Sequence, residues 1–365
     1  MVEVKLENVS KSFGKVKAVN KVNMLVKHGE FLVLLGPSGC GKTTTLRCIA
    51  GLEQVDEGRI FIGDEDVTNL PPAKRGVSMV FQSYAVFPHM TVFDNIAFGL
   101  KLRKVPADHI KKKVKEAAEL LRIGDLLDRY PHQLSGGQRQ RVAVARAITV
   151  EPKVLLMDEP LSNVDALLRL QMRAELKLLQ RKLGATTIYV THDQVEAMSI
   201  GDRIAVMKDG KIIQCDKPME IYENPADVFV GGFIGTPPMN FIDAVVCKAN
   251  GKIGVKIDEF FLEAPQFFAK ELEKREGKEI LVGIRPENVE VENKPVKNAL
   301  EAKNLIAEML GSNKIITVQI GEKIAKFVVP PDFEIEPDEK VWLKIEKEKV
   351  RFMDKSTGKA IIPAS

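Results

Sequence analysis

The string FLVLLGPSGCGKTTTL constrains this chain more than any other. Phe31 to Leu35 form a short apolar run, and Gly36-Pro37-Ser38-Gly39-Cys40-Gly41-Lys42-Thr43 follows at once. That octet satisfies G-x-x-x-x-G-K-[ST] in full. It also lies where the motif has meaning, after a strand-like run and before a segment from Lys42 that reads as a helix. Gly36, Gly39 and Gly41 let the backbone turn tightly and aim N–H groups at phosphate oxygens. The helix N-terminus adds its partial positive charge. The ammonium of Lys42 is expected on the β- and γ-phosphates of a nucleotide, and the hydroxyl of Thr43 on Mg²⁺. Pro37, Ser38, Cys40 and Thr44 complete the cradle. A thiol at a helix N-terminus can have a lowered pKa and react with alkylating agents, so Cys40 is read as a reporter on the loop without a catalytic role, with an inert small residue as the alternative.

A phosphate loop needs acidic partners, and VLLMDEP (154–160) supplies them. Four apolar residues make a buried strand that ends in two adjacent carboxylates. Asp158 is expected to hold Mg²⁺ through a water, and Glu159 to polarise the attacking water as a general base. A second anion site follows from LSGGQRQRVAVARA (134–147), where Ser135 stands at a helix N-cap ahead of two glycines. A single nucleotide site has no use for two phosphate cradles. Two sites facing each other across a dimer do.

Around these motifs the chain changes character. Up to residue 235, short apolar runs (31–36, 154–158, 186–193, 203–210) alternate with helical stretches (110–123, 166–183), which argues for α/β architecture. A helix-rich block occupies about 90–150. IGTPPMNF (234–241) breaks the pattern, and the runs at 278–284, 314–320, 325–330 and 340–353 then read as short strands of a small barrel or sandwich. The break is expected at 235/236. The basic excess, 54 − 50 = +4, is too small and too scattered to mark a nucleic-acid binder. The four cysteines form no CxxC pair, which argues against a zinc ribbon and a disulfide framework. No apolar run approaches the ~20 residues that span a bilayer. The chain is therefore expected to be soluble and to borrow any membrane-spanning part from other chains.

Together these motifs resemble the ATP-binding subunits of ABC transporters, over essentially all of residues 1–235, and LSGGQ, that superfamily's hallmark, is matched without a substitution. The resemblance implies an α/β P-loop NTPase (ABC ATPase) domain with an inserted helical subdomain, followed at 236–365 by a C-terminal all-β OB-like (TOBE) domain. It implies a head-to-tail homodimer. Each ATP would lie between the phosphate loop of one copy and Ser135, Gly136, Gly137 and Gln138 of the other, with Asp165 at the seam. It places Phe13 on the adenine, Gln82 on Mg²⁺ and the γ-phosphate, and His192 on the γ-phosphate. Residues 83–95 would form the groove that receives a coupling helix from two transmembrane permease subunits. An extracytoplasmic solute-binding protein would act indirectly, and the location would be peripheral, on the cytoplasmic face of the membrane.

GIRPENVEV (283–291), EMLGSNKIITVQIG (308–321), PPMNF (237–241) and RFMDKSTGKAI (351–361) are similar to the branch that imports maltose and oligosaccharides. Related subunits with the same layout serve polyamines, iron, sulfate and glycerol phosphate, so the cargo stays open among these. A soluble P-loop phosphotransferase and a soluble ABC protein of DNA repair or translation are the competing classes. The first is disfavoured by LSGGQ and His192, the second by a single cassette without a coiled-coil insert.

Overall fold

The computed structural model describes residues 2–162 and 164–363. The chain divides into two compact units, one ending at Pro218 and the other beginning at Met219.

The first unit is built on two sheets. In chain order its elements are β1 (Val4–Phe13), β2 (Val16–Val26), β3 (Phe31–Leu35), α1 (Lys42–Ala50), β4 (Glu57–Ile62), β5 (Glu65–Asp66), β6 (Val77–Val80), α2 (Val92–Leu102), α3 (Ala107–Leu120), α4 (Gly136–Thr149), β7 (Val154–Asp158), α5 (Ala166–Leu183), β8 (Thr186–Thr191), α6 (Gln194–Ile200), β9 (Arg203–Lys208) and β10 (Lys211–Asp216). The larger sheet runs β10-β9-β3-β8-β7-β6. Five of its strands are parallel and β10 pairs antiparallel to β9. Every residue of β3, β7 and β8 is buried. That is why these strands read as continuous apolar or β-branched runs, as parallel strands covered on both faces do. The smaller sheet, β2-β1-β4-β5, is antiparallel. The side chains of Leu6, Val9, Val22, Leu32, Leu34, Leu46 and Ile49 join the two sheets and α1 in one core. Helices α2, α3 and α4 pack on one another, so the inserted helical block is a physical unit.

The second unit begins within α7 (Pro218–Glu223), and α8 (Val228–Phe233) follows. It continues with β11 (Asn240–Ala249), β12 (Lys252–Ile257), β13 (Phe260–Glu263), α9 (Gln266–Glu273), β14 (Glu279–Ile284), β15 (Val289–Glu292), β16 (Leu300–Met309), β17 (Lys314–Ile320), β18 (Lys323–Val329), β19 (Lys340–Ile345) and β20 (Arg351–Asp354). Two five-stranded antiparallel sheets, β13-β12-β11-β14-β20 and β15-β19-β16-β17-β18, share one core around Val246, Val255, Phe268, Val282, Phe327, Leu343 and Phe352. Asn240 joins them, donating to the Lys326 carbonyl and accepting from the Lys326 N–H, each at 2.8 Å.

The compact units part after Pro218, so α7 and α8, which precede the expected boundary at 235/236, pack with the second unit. Arg285 contributes to this packing: its buried guanidinium donates to the carbonyls of Tyr222, Gly231 and Ile234 and lies 3.9 Å from the Tyr222 ring centroid. One expectation needs correction: the run at 340–353 is two strands. It breaks at a short 3₁₀ turn, Lys347–Lys349, and β19 and β20 enter different sheets.

Candidate functional site

Ligands of open α/β sheets bind beyond the carboxyl ends of the strands. Here the phosphate loop leaves the end of β3, Asp158 closes β7, and His192 follows β8. These strands are neighbours in the order β3-β8-β7, so three segments far apart in sequence meet at one sheet edge.

The loop's shape is sterically enforced at Gly41, the N-cap of α1. Its φ is +106°, and a Cβ there would come inside 3.0 Å of the Ala18 carbonyl oxygen. No side chain caps α1, which leaves its first N–H groups to other acceptors. The Lys42 ammonium donates to the carbonyls of Gly36 (2.8 Å) and Pro37 (3.0 Å), which fixes it inside the loop. Pro37, Ser38 and Gly39 are exposed, Thr44 is half-buried, and the hydroxyl of Thr43 donates to Asp158 Oδ1 at 2.8 Å. Asp158 is 5% exposed, and burial raises its carboxyl pKa against the lowering pull of that hydrogen bond.

Cys40 follows the inert alternative. It is 5% exposed, and burial raises its thiol pKa against the lowering pull of the Lys42 ammonium and nearby hydrogen bonds.

Glu159 stands in the left-handed region at φ +43°, unusual for a residue with a Cβ. Its N–H donates to the Val190 carbonyl at 3.0 Å, which ties the turn to β8. Glu159 Oε2 lies 3.0 Å from His192 Nδ1 and accepts from Gln82 Nε2 at 3.4 Å. The three groups read as catalytic therefore meet at one oxygen. Thr43, Asp158 and Gln82 offer hydroxyl, carboxylate and amide oxygens, the hard donors that suit Mg²⁺. Among the described residues no cluster of three or more His, Cys, Asp or Glu side chains could hold a metal. Phe13, at the end of β1, is 49% exposed, with the Lys11 ammonium 5.4 Å from its ring centroid.

The signature residues stand elsewhere in the unit. Ser135 and Gln138 form a reciprocal capping box at the start of α4. Ser135 Oγ accepts from the Gln138 N–H at 3.3 Å, and Gln138 Oε1 accepts from the Ser135 N–H at 2.9 Å. Gly136 opens the helix, and Gly137 is buried, where a Cβ would press on the end of the Leu168 side chain. Asp165 caps α5, accepting from the Leu168 N–H at 3.0 Å. Among the described residues no side-chain hydrogen bond joins Ser135, Gln138 or Asp165 to the phosphate loop or to Glu159.

Residues 83–95 are held from two helices, a linkage the sequence reading missed. Arg146 of α4 donates to the carbonyls of Ala85 (2.8 Å) and Tyr84 (3.0 Å) and lies 5.2 Å from the Phe87 ring centroid. Asn95 of α2 is fully buried. It donates to the carbonyls of Phe87, Met90 and Thr91 and accepts from the Phe87 N–H. A buried Asn within an amphipathic helix was the available signal.

A phosphate loop, a strand-end carboxylate pair and a second capped anion site define a P-loop ATPase of the cassette type. Comparison with known proteins agrees. Family models match residues 19–162 as an ABC transporter, 235–289 as a MalK OB fold domain and 282–353 as a TOBE domain. The chain is 50% identical to the trehalose/maltose import ATP-binding protein MalK of Thermococcus litoralis, over 99% of this chain and 100% of that one. It is 46% identical to the oligosaccharides import ATP-binding protein MsmX of Bacillus subtilis (98% and 99% covered). It is 47% identical to the sn-glycerol-3-phosphate import ATP-binding protein UgpC of Bordetella pertussis (88% and 87%). Among solved structures, the dimeric post-hydrolysis ATP-binding cassette MJ0796 bound to ADP and Pi aligns with a TM-score of 0.53 at 32% identity. That alignment covers 59% of this chain and 98% of that one. The chain belongs to the ATP-binding proteins of ABC transporters, with the MalK-type OB and TOBE domains at its C-terminal end, and it hydrolyses ATP to drive transport.

Proposed function

We propose that this protein powers a sugar importer, with Glu159 as the base that activates water for ATP hydrolysis. The observation that carries the assignment is the convergence of His192 and Gln82 on one oxygen of Glu159 beside the Thr43–Asp158 pair. The loop N–H groups and Lys42 bind the phosphates, and Phe13 offers an exposed ring to the adenine. Thr43, Asp158 and Gln82 would hold Mg²⁺, partly through water, and the ion would neutralise charge on the phosphates. His192 orients the Glu159 carboxylate, and Gln82 links that carboxylate to the segment at 83–95.

Two copies close head to tail in this reading. Ser135, Gly136, Gly137 and Gln138 of one copy meet the nucleotide of the other, and Asp165 lies at the seam. Solved relatives that are cassette dimers support the pairing. Relatives named as import ATP-binding proteins support a membrane permease as partner. In this reading two permease subunits dock at the groove near 83–95, a solute-binding protein acts from outside, and the protein lies peripherally at the inner face of the membrane. No helix among the described residues is long and apolar enough to cross a membrane. The functional division is proposed at 1–235 for ATPase work and 236–365 for the OB/TOBE part. A second cargo, glycerol phosphate, is supported by the 47% identity to UgpC.

The test is co-purification from the native membrane, with ATPase activity assayed with and without candidate sugars plus the binding protein. Spanning partners and sugar-stimulated hydrolysis are expected. Partners without sugar stimulation would move the cargo to another class, and no partner at all would refute the transport reading. Glu159→Gln should bind ATP, lose about 10²- to 10⁴-fold in hydrolysis, and trap a closed dimer. Normal turnover would remove Glu159 as the base.

A further inference from the structure

Phe13 stands where the first hairpin loosens. Its strand, β1, pairs with β4 only as far as Ser10, which lies opposite Glu57, the first residue of β4. On the other side the ladder to β2 shifts register between Lys11 and Ser12. Lys11, Ser12 and Phe13 are therefore held by one irregular neighbour, and the exposed ring lies at their end. Such a ring makes a poor platform unless something else fixes it. A side chain free to turn must give up that freedom each time a base stacks on it, and binding weakens accordingly.

Asp56, the residue before β4, supplies the missing anchor. Its N–H donates to the Ser10 carbonyl at 2.9 Å. Its carboxylate reaches past the end of β4. Oδ2 accepts from the Ser12 N–H at 2.6 Å, and Oδ1 accepts from the Lys11 ammonium at 3.1 Å. The first of these bonds stands in for the ladder partner that β4 no longer offers to Ser12. The second fixes the cation that lies 5.4 Å from the Phe13 ring centroid, within cation–π range. The Lys11 side chain is only 15% exposed, so it is packed in place instead of sweeping through solvent. The Ser12 N–H, and after it Lys11, hold the Asp56 carboxyl below the usual carboxylate range, which keeps it charged at neutral pH. One side chain thus fixes both the backbone leading into Phe13 and the cation beside its ring.

We infer that Asp56 is a positioning residue for the adenine platform, setting the Phe13 ring through Ser12 and Lys11 so that the base stacks on a surface already in place. The inference rests on the reading above, in which Phe13 meets the adenine. Among the described residues no hydrogen bond joins Asp56 to the phosphate loop or to Glu159, so its effect falls on the base half of the nucleotide. Asp56 belongs to none of the nucleotide motifs, and only the tertiary structure brings it to β1.

The experiment uses the full chain and two competitors of a fluorescent ATP analogue. One is ATP. The other is inorganic tripolyphosphate, which keeps the phosphates and lacks the base. F13A tests the underlying reading, and D56N and D56A test the inference. F13A should weaken ATP about fivefold or more and leave tripolyphosphate as in wild type. D56A should weaken ATP about 2- to 10-fold, again with tripolyphosphate unchanged. Asparagine at 56 keeps an acceptor for the Ser12 N–H but loses the charge that holds Lys11, so D56N should lose less than D56A. D56A added to F13A should cost ATP nothing further, because Asp56 acts only through the ring. Wild-type ATP affinity in D56A beside a weakened F13A would overturn the inference and leave the platform standing. Equal losses for ATP and tripolyphosphate in D56A, a D56N loss exceeding that of D56A, or D56A and F13A losses that multiply would each overturn it as well. Wild-type ATP affinity in F13A would refute the platform reading and the inference with it.

Discussion

Alanine at Gly41 tests why the phosphate loop holds its shape, and alanine at Gly39 is its control. Both glycines have positive φ, +78° at Gly39 and +106° at Gly41, but their surroundings differ. A Cβ at Gly39 meets nothing within 4 Å. One at Gly41 runs into the backbone oxygen of Ala18 in β2, and that strand cannot retreat freely. The Asn20 N–H donates to the Gly210 carbonyl at 2.8 Å, and the Gly210 N–H donates to the Cys40 carbonyl at 3.0 Å. The strand, the turn after β9 and the loop thus form one braced unit. Gly39→Ala should therefore cost only the left-handed penalty, about 1–2 kcal/mol. Gly41→Ala adds an overpacking cost of about 1–3 kcal/mol, for a total of about 2–5 kcal/mol. Against a domain stability of about 5–15 kcal/mol, Gly39→Ala remains folded, and Gly41→Ala does so except at the low end of that range. The assay is urea unfolding followed by far-UV ellipticity, to which the helices of the first unit contribute most, alongside emission of Trp342, the single tryptophan, in the second unit. A fluorescent ATP analogue then reports the loop, with Gly41→Ala the weaker binder. Equal destabilisation by the two substitutions would refute the steric role assigned to Ala18.

Three further outcomes are expected. Asp158→Asn should raise the melting temperature of the nucleotide-free protein while removing Mg²⁺-dependent hydrolysis. Burial raises the Asp158 pKa, and a raised carboxyl pKa costs stability as pH climbs through it, so the wild-type advantage of acidification should vanish in the variant; a lowered melting temperature would contradict this. Ser135→Arg should leave ATP on the phosphate loop yet block ATP-driven dimerisation in an E159Q background, whereas Ser135→Ala should cost only about 1 kcal/mol of cap energy; sedimentation of the variants decides. Asp354 is held at about 2 by hydrogen bonds from the side chains and N–H groups of Ser356 and Thr357. Its contribution is present above the ordinary carboxylate range and lost as pH falls through about 2, so Asp354→Asn at neutral pH should speed amide exchange at Ser356 and Thr357, and unchanged exchange would remove the turn's dependence on charge.

Segments that carry their own local grammar were legible. The strand at 31–35, the helix from Lys42, the strand at 154–158 and the helix at 166–183 stand where the apolar runs and periodicity put them. The β1–β2 hairpin was not read. Asn8 and Lys21 take left-handed φ (+49° at each) at register shifts or beside them, which interrupts the two-residue alternation that marks a strand. The packing of α7 and α8 with the second unit was hidden, because Arg285 reaches back more than fifty residues to the carbonyls of Tyr222 and Ile234. The choice between a reactive and an inert Cys40 stayed open in sequence for a related reason. Proximity to Lys42 and to a helix start is visible in sequence, but the burial that outweighs them is a property of the assembled loop.

The site itself divides along the same line. Each functional side chain sits directly after a strand or at a helix cap, so residue type and local position were readable one motif at a time. Their adjacency was not, because it comes from the order β3-β8-β7, in which the strand latest in sequence lies between the other two. That crossing sets His192 beside Glu159, thirty-three residues earlier, and Asp158 against Thr43, 115 residues earlier. It also lets α5, which connects β7 to β8, carry Arg169 between the turn it follows and the strand end it precedes. That adjacency follows from topology, and it is why the meeting of His192, Gln82 and Glu159 was invisible to motif reading although each of these residues was in plain sight.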